Sequence, residues 1–345
     1  MHSYKFLLRF AFLSVSSFFI YAVRAQSPRG NDTTYYEYFP GSITSRFYFS
    51  QKYTAFTLRG KDAPDLRYLP NTTLNMGIGA TYHNFSLNLA YGFPFLNTDD
   101  NKGDTKYLDL QGHFYKPKLA VDFYGQLYKG YHLADGLAAK AGDDYYYRHD
   151  ARVNVFGLSL YRILNDKRFS YRAAMIQNEW QKKSAGTALL GAEAYYAIMN
   201  ADSSWIPQSV ADQYSQYNSD KIKNFSIGPG AGYAYTLVFF QHIYLTGSAT
   251  ANLHFNVTTE NTGSGQDNHF GINPLFRFRA AAGYNGRLWN VSANWVWDEH
   301  PFRGADAESK YLLQTGNYRF IIARRFATGP KLKKNLRLAD RIFKE

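Results

Sequence analysis

The sequence predicts an all-β fold, a transmembrane antiparallel up-and-down β-barrel of about 14 strands, with about 12 as the alternative. Three observations carry this reading. From Ile43 to Phe326 apolar residues recur with a period of two. The connections between alternating segments are short and long in turn. The last alternating segment, Asn317 to Phe326, closes on an aromatic residue, which resembles the signal read by barrel-insertion machinery.

The first element is an export signal. Lys5 and Arg9 precede an apolar run, Phe10 to Val23, that is too short to span a bilayer comfortably. Val23-Arg24-Ala25 then places small residues at cleavage positions. Residues 1–25 are expected to be a cleaved signal peptide and 26–42 an N-terminal periplasmic segment. Residues 43–326 are expected to form the barrel and 327–345 a periplasmic tail.

Within the barrel, Leu74, Met76, Ile78, Ala80 and Tyr82 share one face, opposite Asn75, Gly77, Gly79, Thr81 and His83. Phe85, Leu87, Leu89, Tyr91 and Phe93 repeat the pattern, and His83-Asn84 between them makes a tight hairpin. The same reading gives strands at 43–58, 73–83, 85–93, 105–115, 119–131, 152–163, 169–180, 187–199, 225–238, 242–256, 270–284, 287–298 and 311–326. Tyr82, Phe93, Phe255, Trp289 and Trp297 sit at strand ends, as interfacial girdles require. Short turns such as His83-Asn84 and Lys116–Lys118 belong on the periplasmic side, and long polar loops such as His132–Ala151 belong outside. The count is odd, whereas single-chain barrels have an even number of strands. The alternation of loop lengths also slips at 200–224, so a further strand is expected near Ser203–Val210, although Pro207 weakens it.

Composition agrees. The chain holds 30 Tyr and 27 Phe against 4 Met, a bias that favours strands. It has no cysteine, which excludes a disulfide scaffold and thiolate metal sites. Its net charge of +12 is scattered, and an exported protein does not meet nucleic acid. The tail carries Lys331, Lys333, Lys334, Arg337, Arg341 and Lys344, with Leu332, Leu336, Ala339 and Phe343 at helical spacing. It reads as a solvated periplasmic tail or as an amphipathic basic helix on the surface of the inner leaflet, and it offers a site for an envelope protein partner.

Several blocks resemble an outer-membrane family of Bacteroidetes-type bacteria described as domain of unknown function 4421. They include Ser50–Thr54, Pro70–Ala80, Lys106–Asp109, Lys129–Tyr131, Arg168–Ala174, Gln181–Gly186 and Gly232–Thr236. The resemblance covers most of the chain and implies a membrane barrel with no assigned activity and no catalytic residues to transfer.

No phosphate-binding loop and no His-Glu-x-x-His is present. Gly228–Gly232 reads as a strand of small bulk. The acids of the loops, Asp99, Asp100, Asp104, Asp143, Asp144 and Asp150 with His149, do not match a calcium loop. No cofactor and no metal are expected. The inward face is expected to carry Arg172, Arg277, Arg279, Arg319 and Arg325 with Asp109, Asp122, Glu193 and Asp298, and the aromatic Tyr124, Tyr128 and Tyr244. Two readings stay open for these charges: a network that fills the lumen, or a cationic pathway for anionic solutes. Ser248, His254 and Asp298 are also inward but belong to no motif. The first functional expectation is a passive channel or small-solute binding pore. The second is a non-transporting scaffold, assembly or adhesion barrel, and the third a lipid-modifying enzyme. Outer-membrane lipid and the insertion machinery are the expected partners.

Overall fold

The computed structural model describes residues 30–39, 41–60, 63–83, 85–96, 102–134, 144–262, 265–304 and 308–329. The expected signal peptide, most of the basic tail and Asp99, Asp100 and Asp143 lie outside the described residues. The strands are β1 (Tyr36–Tyr38), β2 (Ser42–Arg59), β3 (Leu66–Leu69), β4 (Asn75–Tyr82), β5 (Phe85–Gly92), β6 (Lys106–Lys116), β7 (Leu119–Leu133) and β8 (Tyr147–Ile163). They continue as β9 (Glu179–Gln181), β10 (Ala185–Asn200), β11 (Lys221–Phe239), β12 (Ile243–Thr262), β13 (Gly265–Asn285), β14 (Trp289–Arg303) and β15 (Lys310–Ala327). One short helix, α1 (Tyr171–Met175), precedes β9.

All pairings are antiparallel. A closed ring of hydrogen-bonded neighbours runs β2-β3-β7-β8-β10-β11-β12-β13-β14-β15 and returns to β2. β4 and β5 extend from β2, and β6 pairs with β7, so these three fill the wall below the short bridge β3. Among the described residues the long wall strands number twelve, the lower of the two expected counts.

Side chains alternate as the period of two requires. Outward positions are apolar and exposed, among them Leu89, Leu110, Phe156, Leu158, Leu245 and Phe320. A patch this large would be a liability in water and is the expected belt of a barrel in lipid. Trp289, Phe326 and Phe239 mark one rim and Phe255, Phe270 and Tyr91 the other, all exposed.

Two local devices shape the wall. β7 carries a bulge between Lys129 and Tyr131, where Gly130 has φ +94. Before it the even positions face inward; after it Tyr131 and Leu133 are buried. A Cβ at Gly130 would lie 2.2 Å from the Asp104 carbonyl, so only glycine fits. The β11–β12 hairpin turns through Phe240 and Gln241, with φ 51 and 63. Positive φ at both central residues is the type I′ turn that matches strand twist.

The segment 169–180, expected as a membrane strand, is not one. It leaves the wall after β8, forms α1 and β9, and pairs β9 with β1 in a separate two-stranded sheet. No strand lies at Ser203–Val210 either; a 3-10 turn at Gln208–Gln213 stands in a folded loop. Both corrections have one cause. Removing 169–180 from the count places 200–221 at the end of the long loops and makes the wall even. Ser170 caps α1 by accepting from the Ala173 amide at 3.0 Å, and Ala173, Ala174 and Met175 are helix formers.

Candidate functional site

The lumen is occupied in three layers. At the end of the short turns, residues 164–184 fold inward as a plug. Arg325 on β15 donates to the carbonyls of Gln177 at 2.7 Å and Glu179 at 2.9 Å, to Asn285 Oδ1 at 2.9 Å, and to the Gly286 carbonyl. Its guanidinium lies 4.7 Å from the Phe39 ring centre. Asn285 donates back to the Glu179 carbonyl at 3.0 Å, and Asn294 to the Ala174 carbonyl at 3.3 Å. Arg46 on β2 reaches the Ile176 carbonyl at 2.9 Å. Arg172, on α1 instead of a wall strand, donates to the His83 carbonyl at 2.8 Å and faces Glu179 at 3.5 Å. The N-terminal segment clamps the plug from below: the Asp32 amide donates to the Lys167 carbonyl at 2.8 Å, and Tyr36 to the Asp166 carbonyl at 2.8 Å.

The middle layer is ionic. Arg277 on β13 binds Asp298 on β14 at 2.5 Å and Glu193 on β10 at 3.0 Å. Glu193 also accepts from Tyr161 at 2.7 Å and Tyr195 at 2.5 Å. Arg279 binds Asp122 on β7 at 2.5 Å and Tyr115 at 3.1 Å. Asp122 further meets His113 Nδ1 at 2.7 Å and accepts from Tyr115 at 2.5 Å. Lys52 on β2 pairs with Asp109 on β6 at 2.7 Å, and Asp109 accepts from Gln126 at 3.0 Å and Tyr128 at 3.1 Å. Charges so deeply buried persist only when paired and hydrogen-bonded.

Arg319 differs from these. Its Nε is buried without a partner, its guanidinium stacks 5.0 Å over the Tyr48 ring, and no carboxylate among the described residues pairs with it. It borders an internal cavity of about 70 Å³ with Gln111, His113, Asn317, Arg279 and Met175. That is room for about two waters.

The third layer closes the end of the long loops. Residues 201–220 fold over the mouth, and Trp205 is fully buried between Phe56, at 5.0 Å, and Tyr68, at 5.2 Å. Arg148 ties this loop to the wall: it chelates Asp150 at 2.9 and 2.8 Å and donates to the carbonyls of Ser204 and Ser203. Tyr214 donates to the Pro64 carbonyl. Burial raises the pKa of the Tyr214 phenol.

The expected inward residues therefore fall into different layers. Arg277, Glu193 and Asp298 come together in one group and Arg279 and Asp122 in a neighbouring one, and both border the same cavity with Tyr124. Asp109 and Tyr128 form a second group with Lys52. Arg172 and Arg325 hold the plug, Tyr244 packs against Ala174, and Arg319 stands at the cavity. Ser248, His254 and Asp298 do not meet: Ser248 contacts Tyr171, His254 contacts Ser226 at 3.1 Å, and Asp298 contacts Arg277. Sequence reading missed Arg46, Lys52, Tyr115 and Tyr161, although each stands at an inward position of its strand.

No curated protein matches the chain in sequence. Among solved structures it is similar to the outer membrane protease OmpT from Escherichia coli, at 8% identity, covering 84% of this chain and 98% of that one with a TM-score of 0.41. It is also similar to Ail, the attachment invasion locus protein of Yersinia pestis, at 7% identity, 84% and 100% coverage and a TM-score of 0.22. A third similar structure is the TodX monoaromatic hydrocarbon channel, at 8% identity, 83% and 91% coverage and a TM-score of 0.26. The family model described as Domain of unknown function (DUF4421) matches residues 30–326, and the chain belongs to that family.

Proposed function

We propose that this outer-membrane barrel works as an axially closed scaffold of the envelope, and not as a passive pore. The observation that carries this is the locking of residues 164–184 inside the wall by Arg325, Arg46 and Arg172. The paired charges of the lumen are engaged with one another, with the plug or with the cap. Such a barrel leaves two surfaces for partners: the loop end outside, and the turn end with the basic tail in the periplasm.

Planar bilayers test the closure. The purified chain inserts without discrete conductance steps, and stable steps from the unaltered chain overturn the reading. Crosslinking in cells tests the scaffold: a periplasmic partner is recovered and is lost when residues 330–345 are deleted. Identical recovery without the tail removes the tail from that role.

A further inference from the structure

One line of the wall differs from all others. β5 and β6 run side by side, yet no backbone ladder joins them; β5 pairs only with β4, and β6 only with β7. Elsewhere neighbouring long strands share ladders, such as Ile243↔Tyr284 to Thr262↔Gly265 between β12 and β13. The two edges are also held from inside by different anchors. Arg46 on β2 donates to Asn88 Oδ1 at 3.0 Å and so fixes β5 to its own side. His113 and Tyr115 fix β6 to Asp122 on β7. At the loop end the line is stitched, by Tyr107 to Asn75 at 3.0 Å and by Lys52 to Asp109. Unpaired edge groups are costly in hydrocarbon, so this seam is the weakest line of the wall.

β6 supplies the seam and also lines the central cavity, through Gln111, His113 and Tyr115. Across that cavity stands Arg319, a half-buried cation with a buried Nε and no direct ion pair among the described residues. β6 is thus the one strand of the seam that also borders the cavity. We propose that the β5–β6 seam is a lateral portal, and that the cavity takes the anionic head group of a single-chain amphiphile at Arg319. The cavity has room for a head group, while the chain lies between the exposed Leu87 and Leu89 of β5 and Leu108 and Leu110 of β6. This rests on the axial closure proposed above, which conductance tests separately.

The chain contains no cysteine, so introduced pairs are its only thiols. In nanodiscs, nitroxides on Leu89→Cys/Leu110→Cys read the seam. Nitroxides on Leu245→Cys/Ala282→Cys, opposite each other in the β12–β13 ladder, read ordinary wall. The seam pair gives a broad distance distribution that shifts when palmitate is added; the ladder pair stays narrow and unmoved. A seam pair as narrow as the ladder pair and indifferent to palmitate overturns the portal. In a binding assay, Arg319→Gln weakens palmitate binding about tenfold and Arg319→Lys retains most of it, the size expected for one charged hydrogen bond. Hexadecanol, which lacks the charge, and inorganic phosphate, which lacks the chain, both bind much more weakly than palmitate. Palmitate affinity unchanged by Arg319→Gln, or phosphate binding as tightly as palmitate, overturns the amphiphile assignment.

Discussion

Arg277 and Arg319 point into the same lumen and have opposite energetic signs. Arg277→Met strands Glu193 and Asp298 as buried carboxylates, so it destabilises the barrel by about 3–5 kcal/mol. Arg319→Met removes a half-buried charge that no carboxylate among the described residues contacts and that Asp109 reaches only at longer range, and it leaves stability equal or higher. Urea unfolding of the folded barrel in detergent, followed by the gel shift between unboiled and boiled samples, measures both. An equal loss from the two substitutions contradicts the assignment. That both residues face inward was legible in the sequence, because a period of two fixes the face of every residue on a strand. Which arginine meets which acid was not legible, since Arg277 and Glu193 stand on β13 and β10 and meet across the lumen. Arg172 shows the limit of the method: its inward position followed from a strand that does not exist, and it is inside only because α1 is.

At the scale of elements, the strands were legible wherever alternation was regular and the turns were short. The segments read at 119–131 and 311–326 lie within β7 and β15, and the one read at 242–256 starts one residue before β12. The plug was misread because Phe169–Trp180 has strand-like aromatic content. The odd strand count and the slip at 200–224 were the symptom of that error, and Ser170 followed by Ala-Ala-Met was the overlooked signal for a capped helix. Two turns carry predictions. In the β11–β12 hairpin, Gln241→Gly relieves a left-handed residue and raises stability by about 1 kcal/mol. At the β7 bulge, Gly130→Val meets the Asp104 carbonyl at a left-handed φ, and it costs about 1–3 kcal/mol. Equilibrium unfolding of the two variants checks the opposite signs.

For the whole molecule, the barrel class was legible in the sequence, and the filled lumen was not. Periodicity reports which face a residue takes and says nothing of what a loop does after leaving the wall. Loosening the plug exposes it: Arg325→Ala removes the donors to Gln177 and Glu179, and a protease admitted at the turn end then cuts within 164–184. Equal resistance of the unaltered chain and Arg325→Ala counts against the plug as locked. Closure of the ring has a consequence in time. β15 pairs with β2 from Lys310↔Arg59 to Ala327↔Ser42, so the last strand of the barrel completes the first. During export the edge of β2 stays open until β15 has arrived. Assembly of such distant partners is slow, and the waiting edge is prone to aggregate. The cell must therefore hold this chain unfinished, and a chain cut before Lys310 keeps two open edges in place of a smaller barrel.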